Sequence, residues 1–424
     1  MGSAARIEPA AIAKEMLAWI DLELVSCTKL QELWAGYGHV CALKARRLRA
    51  SPGTVQECTT QSNSTEQLIL KIVSAPSELY DEGHVRKLLS YEVEQFFYDS
   101  IAPTLEELPL AKCLATTSNM LEKAMAAGFG SIKATLMADL RLRYPVPGGK
   151  RAFLTTRQVY SALIWLSKFH RSYWRGTQLQ RSKLILPPLA EARLRTAREH
   201  VQREGVWLNG GYTYLATRQT EYKSLIKDGN SEWSALLCQP ISPLSMSIAQ
   251  LAACFLTPCG RPHETYLHGD VKSENLYSTE SGDEVAFFDF QYVGLGLGVC
   301  DLAKFFTCSV PLEMLVHPEQ MSSRLTMSEG ERALLSLYRE YLLGGTNKIS
   351  APAYDWNEFQ RHWETALVDW CRFQASWGFW GNTEWLQARV RSILHDQQWQ
   401  AWLRKEVDMI SKPEDTSDCE VQLD

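Results

Sequence analysis

Apolar positions along the chain follow two rhythms: short strand-like runs dominate the first third, and long helical patterns dominate the rest. Ile12, Met16, Leu17, Ile20 and Leu24 recur at helical spacing and predict an N-terminal helix over Ala10–Leu24. Residues 27–49 then read as a strand, a glycine turn (Gly36, Gly38) and a second strand. Residues 50–65, rich in Ser, Thr, Gln and Asn around Pro52-Gly53, read as a hairpin loop. Gln67–Val73 is an apolar strand with Lys71 inside it, and Lys112–Leu114 and Lys133–Met137 read as further strands. Val85, Leu88, Leu89, Val93, Phe96, Phe97 and Ile101 place a helix over residues 82–102, stopped by Pro103.

From about Arg141 the patterns are helical: residues 155–174, a long helical insertion over 178–256, then 327–343, 355–377 and 382–405. The helix over 355–377 carries Trp356, Trp363, Trp370 and Trp377. Seven residues are nearly two helical turns, so these rings share one face. The last residues, 411–424, are acidic and polar and read as a disordered tail. The expected organisation is a β-rich part over 1–140, a helical part over 141–405 and a tail over 406–424. No internal repeat is visible.

Composition narrows the function classes. The 424 residues are 45% hydrophobic and 22% charged, an ordinary globular balance, and two domains or lobes fit that length. A net charge of −5 gives no basic surface to argue for nucleic acid. The 11 cysteines are scattered without a C-x-x-C pair, so they read as reduced thiols. No apolar run approaches the ~20 residues of a membrane span, and Arg6 stands where a myristoylation signal needs Ser or Thr. A cytoplasmic protein is expected; oligomeric state is not indicated.

The chemistry concentrates in Tyr266–Phe306, YLHGDVKSENLYSTESGDEVAFFDFQYVGLGLGVCDLAKFF. His268-Gly269-Asp270 opens a polar loop that reaches Asn275. The apolar run Val285–Phe288 delivers Asp289 at its end, and a glycine-rich turn leads to Asp301. Phosphoryl transfer needs positioning and charge neutralisation more than covalent help. One carboxylate must orient the acceptor hydroxyl and take its proton, and hard oxygen donors must hold Mg²⁺. Asp270, Asn275 and Asp289 supply that set. Lys71, within an apolar strand, must face solvent, a cleft or a carboxylate, because an unpaired buried ammonium is costly.

The pattern H-G-D-x-x-x-x-N, a strand ending in Asp289-Phe290-Gln291, and then Asp301-Leu302-Ala303 resembles the aminoglycoside phosphotransferase and choline kinase superfamily, in its choline/ecdysteroid-kinase-like branch. The resemblance implies an α+β, bilobal protein-kinase-like fold with a small β-rich N-lobe and a large, mostly helical C-lobe. By it Asp270 is the catalytic base and Asn275 and Asp289 are the Mg²⁺ ligands. Lys272 either steadies the γ-phosphate or is a solvated loop lysine. His268 is expected to brace the loop, and Asp301 to cap the helix that follows it. Lys71 contacts the ATP phosphates and pairs with a helix glutamate; the position four before Tyr98 selects Glu94, with Glu92 as runner-up. Gly36 and Gly38 drape over the phosphates, and Met137 and Ala138 form the hinge that meets adenine through backbone groups.

The acceptor is less defined. Tyr212, Tyr214, Arg218 and Glu221 in the insertion face either a substrate or their own lobe. The tryptophan stripe is core packing, or part of it cages a cationic amine with Asp369 or Glu364. The expected function is an ATP- and Mg²⁺-dependent kinase acting on a hydroxyl of a small amino-alcohol, aminoglycoside-like or sterol-like acceptor. The alternative is a catalytically silent ligand-binding protein on the same fold. Gly269, where protein kinases carry Arg, and the short distance from Asp289 to Asp301 argue against a peptide acceptor.

Overall fold

The N-terminal third builds an antiparallel sheet because its strands keep one face apolar. A computed structural model describes residues 8–33, 36–48, 65–74, 81–174, 184–197, 204–241, 245–344 and 354–411. Helix α1 (Pro9–Ala18) is followed by β1 (Leu22–Glu32), β2 (Gly38–Arg47) and β3 (Glu66–Val73). Helix α2 (Glu82–Phe96) leads to β4 (Cys113–Thr116), the short α3 (Leu121–Ala126) and β5 (Lys133–Ala138). The strand order is β1-β2-β3-β5-β4, so β3 lies at the centre. Leu43, Leu68, Leu70, Ile72 and Leu136 form one core with Ile12, Met16 and Leu17 of α1. A ten-residue helix is marginal by itself, so α1 is held by burying those side chains, roughly 1.5–3 kcal/mol each.

The N-terminal helix is shorter than its periodicity suggested. It ends at Ala18, Asp21 adopts a φ of 59°, and Leu22 and Leu24 belong to β1. Helix α2 is capped by Asp81, whose carboxylate accepts the His84 N–H. It continues through a wider π-type turn over Phe97–Ile101. The expected loop over 50–65 lies, except for Thr65, outside the described residues, as does the tail beyond Ser411. The helix Gln397–Ser411 crosses the expected boundary at 406, and Asp396 divides the expected 382–405 helix into Thr383–His395 and Gln397–Ser411.

A second, larger core joins the remaining helices and reaches up to Leu89 and Val93 of α2 and Phe97 of the π-type turn. Its pillars are α4 (Thr156–Ser172) and the helices Val299–Cys308, Glu329–Leu342 and Trp356–Trp377. The fold is thus α+β, with one core under the sheet and one among the helices. The insertion over 178–256 is not wholly helical. Its strands Leu184–Ile185 and Val206–Trp207 extend the sheet formed by Glu264–Leu267 and Gly294–Leu297. That sheet carries the H-G-D loop at the end of Glu264–Leu267.

Candidate active site

Lys71 sits in the central strand, paired with Val40 of β2 and Thr135 of β5. Its Nζ lies 2.6 Å from Glu94 Oε2 and 2.8 Å from Asp289 Oδ1. Glu94 is therefore the helix partner. Glu92 faces another way, meeting Lys133 at 3.0 Å and Arg195 at 2.8 Å. Burial works against the Lys71 charge, but Asp289 and Glu94 together hold its pKa above the ordinary lysine range. Burial, with Asp289 adding to it, raises Glu94 to about 7 despite Lys71. Asp289 stays below the usual carboxylate range because Lys71 outweighs its burial.

Asp289 follows the strand Val285–Phe287 with φ at 66°. A non-glycine residue in this region costs on the order of 1–3 kcal/mol and persists only when its surroundings fix it. The lysine contact and the neighbouring Phe290 supply that hold. Phe290 is fully buried and stacks on Phe97 of the π-type turn at a centroid distance of 4.0 Å.

The loop with Asp270 is tied to this strand. His268 Nε2 donates to Phe288 O at 3.0 Å, and its Nδ1 accepts the Asp270 N–H at 3.2 Å. Burial keeps the imidazole pKa below its ordinary value, although Asp301 and Asp270 oppose this. His268 is thus a neutral brace, as expected. Phe288 N donates to Asn275 O at 3.0 Å. Asn275 Nδ2 donates to the carbonyl and to Oδ2 of Asp270, both at 2.9 Å. With the amide nitrogen so engaged, Asn275 Oδ1 is the atom left to meet a cation. Lys272 lies 3.1 Å from Asp270 Oδ2 and 2.9 Å from Glu274 Oε1. Burial opposes its charge, yet Asp270, Tyr212 and Glu274 hold it above the ordinary lysine range. It is a paired lysine rather than a solvated one.

Asp301 does not cap its own helix, which starts after Gly298 without a side-chain cap. Its buried carboxylate accepts the His268 N–H at 2.7 Å, the Gly269 N–H at 3.0 Å and His170 Nε2 at 3.2 Å. One helical turn later Lys304 donates to Gly269 O at 2.8 Å. The two residues share a helix face and hold the Gly269 peptide from both ends. Lys304 was not foreseen; the available signal is a lysine three after Asp301 within an otherwise apolar helix. His170 links Asp301 to the Tyr338 hydroxyl, 2.7 Å from its Nδ1.

Gly269 has φ at 83°, and a Cβ there would sit 2.2 Å from Tyr292 O and 2.7 Å from Gly211 N. Glycine is required because the Trp207–Tyr214 segment passes this close, with Gly211 N donating to Tyr292 O at 2.9 Å. The insertion therefore packs directly on the His268–Asn275 loop.

The expected phosphate-loop and hinge residues fare differently. Gly38 is needed by the sheet, since a Cβ would meet Ile72 O at 1.9 Å. Gly36 has φ at 73° and faces open space, while Tyr37 beside it is buried with its hydroxyl 2.5 Å from His84 Nδ1. Met137 is buried and pairs with Ile69 and Cys113. The Ala138 N–H already donates to Lys112 O at 2.9 Å, so its carbonyl is the group left for a ligand.

The Ecdysteroid kinase-like family matches residues 49–321, more than half of the chain. The chain belongs to the ecdysteroid kinase-like family. Comparison with curated proteins finds no match. Among solved structures, a macrolide 2'-phosphotransferase from Brachybacterium faecium shares 12% identity, covering 96% of this chain and 99% of its own, with a TM-score of 0.40. A choline kinase from Streptococcus pneumoniae shares 13%, covering 93% and 99%, at 0.39. An amicoumacin kinase in complex with AMP-PNP and Ca²⁺ shares 12%, covering 96% and 95%, at 0.38. Similarity this low adds no weight to the family match.

In this ecdysteroid kinase-like chain the tryptophan stripe is mostly core. Trp363 and Trp370 are buried, and Trp363 Nε1 donates to Glu331 at 2.8 Å. The nearby carboxylates are already paired. Asp369 meets Arg372 at 2.7 Å, and Glu364 meets Arg361 at 3.0 Å. An aromatic cage does exist, but the chain fills it. The Arg218 guanidinium carbon lies 4.8 Å from the Trp377 ring centroid, 5.3 Å from Phe373 and 5.4 Å from Tyr212. Its Nε donates to Tyr212 O at 2.7 Å and its NH1 to Glu221 at 2.8 Å. Arg218 and Glu221 thus pair with each other rather than face an acceptor. Tyr214 is buried beside Gly296 and Cys300. Tyr212 alone of the four reaches the loop that carries Asp270 and Lys272. Burial, reinforced by the Asp270 carboxylate, pushes its hydroxyl well above the ordinary range.

Among the described residues no helix is long and apolar enough to cross a membrane.

Proposed function

We propose that the protein is an ATP-dependent small-molecule kinase that transfers the γ-phosphate to a hydroxyl of a small acceptor. The observation that carries this reading is the convergence on Asp289 of two otherwise distant elements. Lys71 of the sheet, fixed by Glu94, reaches its carboxylate, and the Asp270–Asn275 loop is bonded to the residue before it. Asp289 and Asn275 Oδ1 are hard oxygen donors on rigid backbone and fit Mg²⁺. The ion supplies charge neutralisation at the phosphates. Lys71 holds the nucleotide phosphates, and Lys272 reaches the transferred group from beside Asp270. Gly36 borders the phosphates, and backbone at Met137 and Ala138 meets the base. Asp270 orients the acceptor hydroxyl and takes its proton. The division at residue 140 separates the nucleotide-holding sheet from the acceptor side.

For the acceptor, the pairing of Asp369 and Glu364 and the filling of the cage by Arg218 weigh against a cationic amino alcohol. Tyr212 and Tyr292, whose rings lie 4.8 Å apart beside the loop, favour a neutral, sterol-like alcohol. The test is ADP release by the full chain with sterol-like, amino-alcohol and aminoglycoside acceptors, with and without Mg²⁺. Turnover should need Mg²⁺ and a sterol-like acceptor. Asp270→Ala should lower kcat about 10³-fold, within the usual range for a general base, and leave nucleotide binding intact. Unchanged turnover in this variant overturns the assignment of Asp270. Absence of ADP release with every acceptor returns the protein to the silent-binder alternative.

A further inference from the structure

Three metal-ligating side chains meet outside the kinase site. Asp355 caps the helix Trp356–Trp377 by accepting the Asn357 N–H at 2.8 Å and the Glu358 N–H at 3.3 Å. This fixes Glu358 in the first turn. His362 follows four residues later, so it lies on the same face. His263, from the turn before the strand Glu264–Leu267, packs against both. We propose that His263, Glu358 and His362 bind one late first-row divalent metal ion of the zinc class.

The three ligand atoms lie within 4.8 Å of one another. His263 Nδ1 is 3.3 Å from Glu358 Oε1, and His362 Nε2 is 3.9 Å from the same oxygen. Tetrahedral zinc with bonds of about 2.0–2.1 Å holds its donors roughly 3.3–3.4 Å apart. One pair is already at that spacing, and the other needs an approach of roughly half an ångström.

The outer contacts match a metal site too. His362 Nδ1 is 2.5 Å from the Tyr354 hydroxyl, which commits that nitrogen and leaves Nε2 as the ligand. The His263 ring stacks on Tyr354 at 3.9 Å with an interplanar angle of 8°, which sets its direction. Both imidazoles are buried, whereas the Glu358 side chain keeps 43% of its exposure and offers an entry path. Arg261 is the opposing cation; Glu264 meets it at 3.0 Å and offsets its charge. Two imidazoles and one carboxylate select a zinc-like ion over Mg²⁺ or Ca²⁺. The ion would tie the start of the strand to the helix, roughly 16 Å along the chain from His268.

The probe is Co²⁺ alone, titrated into chelator-stripped full chain and read by its visible ligand-field absorption. The expected result is saturable four-coordinate Co²⁺, displaced by Zn²⁺ and not by Mg²⁺. Glu358→Gln and His362→Gln should each weaken binding more than about tenfold, while Asp289→Asn leaves it unchanged. If His362→Gln fails to fold by circular dichroism, Glu358→Gln decides alone, because its side chain is part-exposed. A missing signal, a signal that survives Glu358→Gln, or one lost in Asp289→Asn overturns the proposal.

Discussion

The proposed catalytic stretch over 266–301 and the proposed acceptor side, built from Tyr212–Glu221 and the helix Trp356–Trp377, use the same kinds of residue but differ in how their partners are found. In the first, His268, Asp270, Asn275, Phe288 and Asp301 lie within a few dozen positions and bond to one another. In the second, the rings of Phe373 and Trp377 close on a guanidinium more than 150 positions earlier. A short loop constrains its own geometry, so its residue order carries meaning. A ring stripe states that something cationic or apolar fits, and only the tertiary fold decides what. Here that cation is Arg218.

The sharpest way to break the first region is Asp301→Asn. The buried carboxylate accepts from two backbone N–H groups and His170. An amide presents one oxygen and turns its NH₂ toward a donor, so at least one buried N–H loses its partner, at about 1–3 kcal/mol. Asp301 touches no reacting atom; it positions the loop. We expect kcat to fall about 100-fold through misplacement of Asp270, with little change in the KM for nucleotide, because Lys71 and Glu94 are untouched. A rise in nucleotide KM with kcat preserved would contradict this role.

Much of that region was legible because local spacing fixed it. Glu94 was preferred to Glu92 through the family resemblance, which sets the pairing glutamate four before Tyr98, and Lys71 within its apolar strand had to face solvent, a cleft or a carboxylate. The requirement for glycine at Gly269 was not legible, because the colliding atoms belong to Tyr292 and to Gly211 in the insertion. The pairing of Val206–Trp207 beside Gly294–Leu297 escaped for a related reason: two-residue strands have no period to read. Asp301 read as a cap because an aspartate before an apolar helix usually is one; the loop bending back to its carboxylate is a tertiary fact.

A smaller effect separates the Lys71 cluster from the rest of the site by pH. Glu94 has its pKa raised from an ordinary 4.5 to about 7, chiefly by burial. Between these values the folded chain binds more protons than the unfolded one, so this group's contribution to stability falls as pH rises. Glu94→Gln removes that slope. The Tm of the native chain minus that of Glu94→Gln should therefore shrink from pH 5 to pH 7, then level off above the folded pKa. A gap that widens over the same interval would reverse the sign and place the charged Lys71–Glu94 pair, rather than its burial, in control.

The smallest effect tests the acceptor side. Arg218→Ala empties the space between Tyr212, Phe373 and Trp377 and removes the hydrogen bonds to Tyr212 O and Glu221. A cation–π contact is worth about 0.5–1 kcal/mol where exposed and about 2 kcal/mol where desolvated; Arg218 is buried, while Trp377 keeps 52% of its exposure. A loss of about 1–3 kcal/mol in unfolding free energy is expected. The vacated rings and the released Glu221 carboxylate then form a site for a quaternary ammonium. Tetramethylammonium should raise the Tm of Arg218→Ala and leave the native chain unmoved, because a filled cage has no room for a second cation. If the native chain responds equally, the ammonium binds elsewhere, and the contrast between a self-filled cage and the Asp270–Asn275 loop fails on its acceptor side alone. The proposed kinase chemistry would stand on Asp270 and Asp289 in either case, since neither contacts the guanidinium.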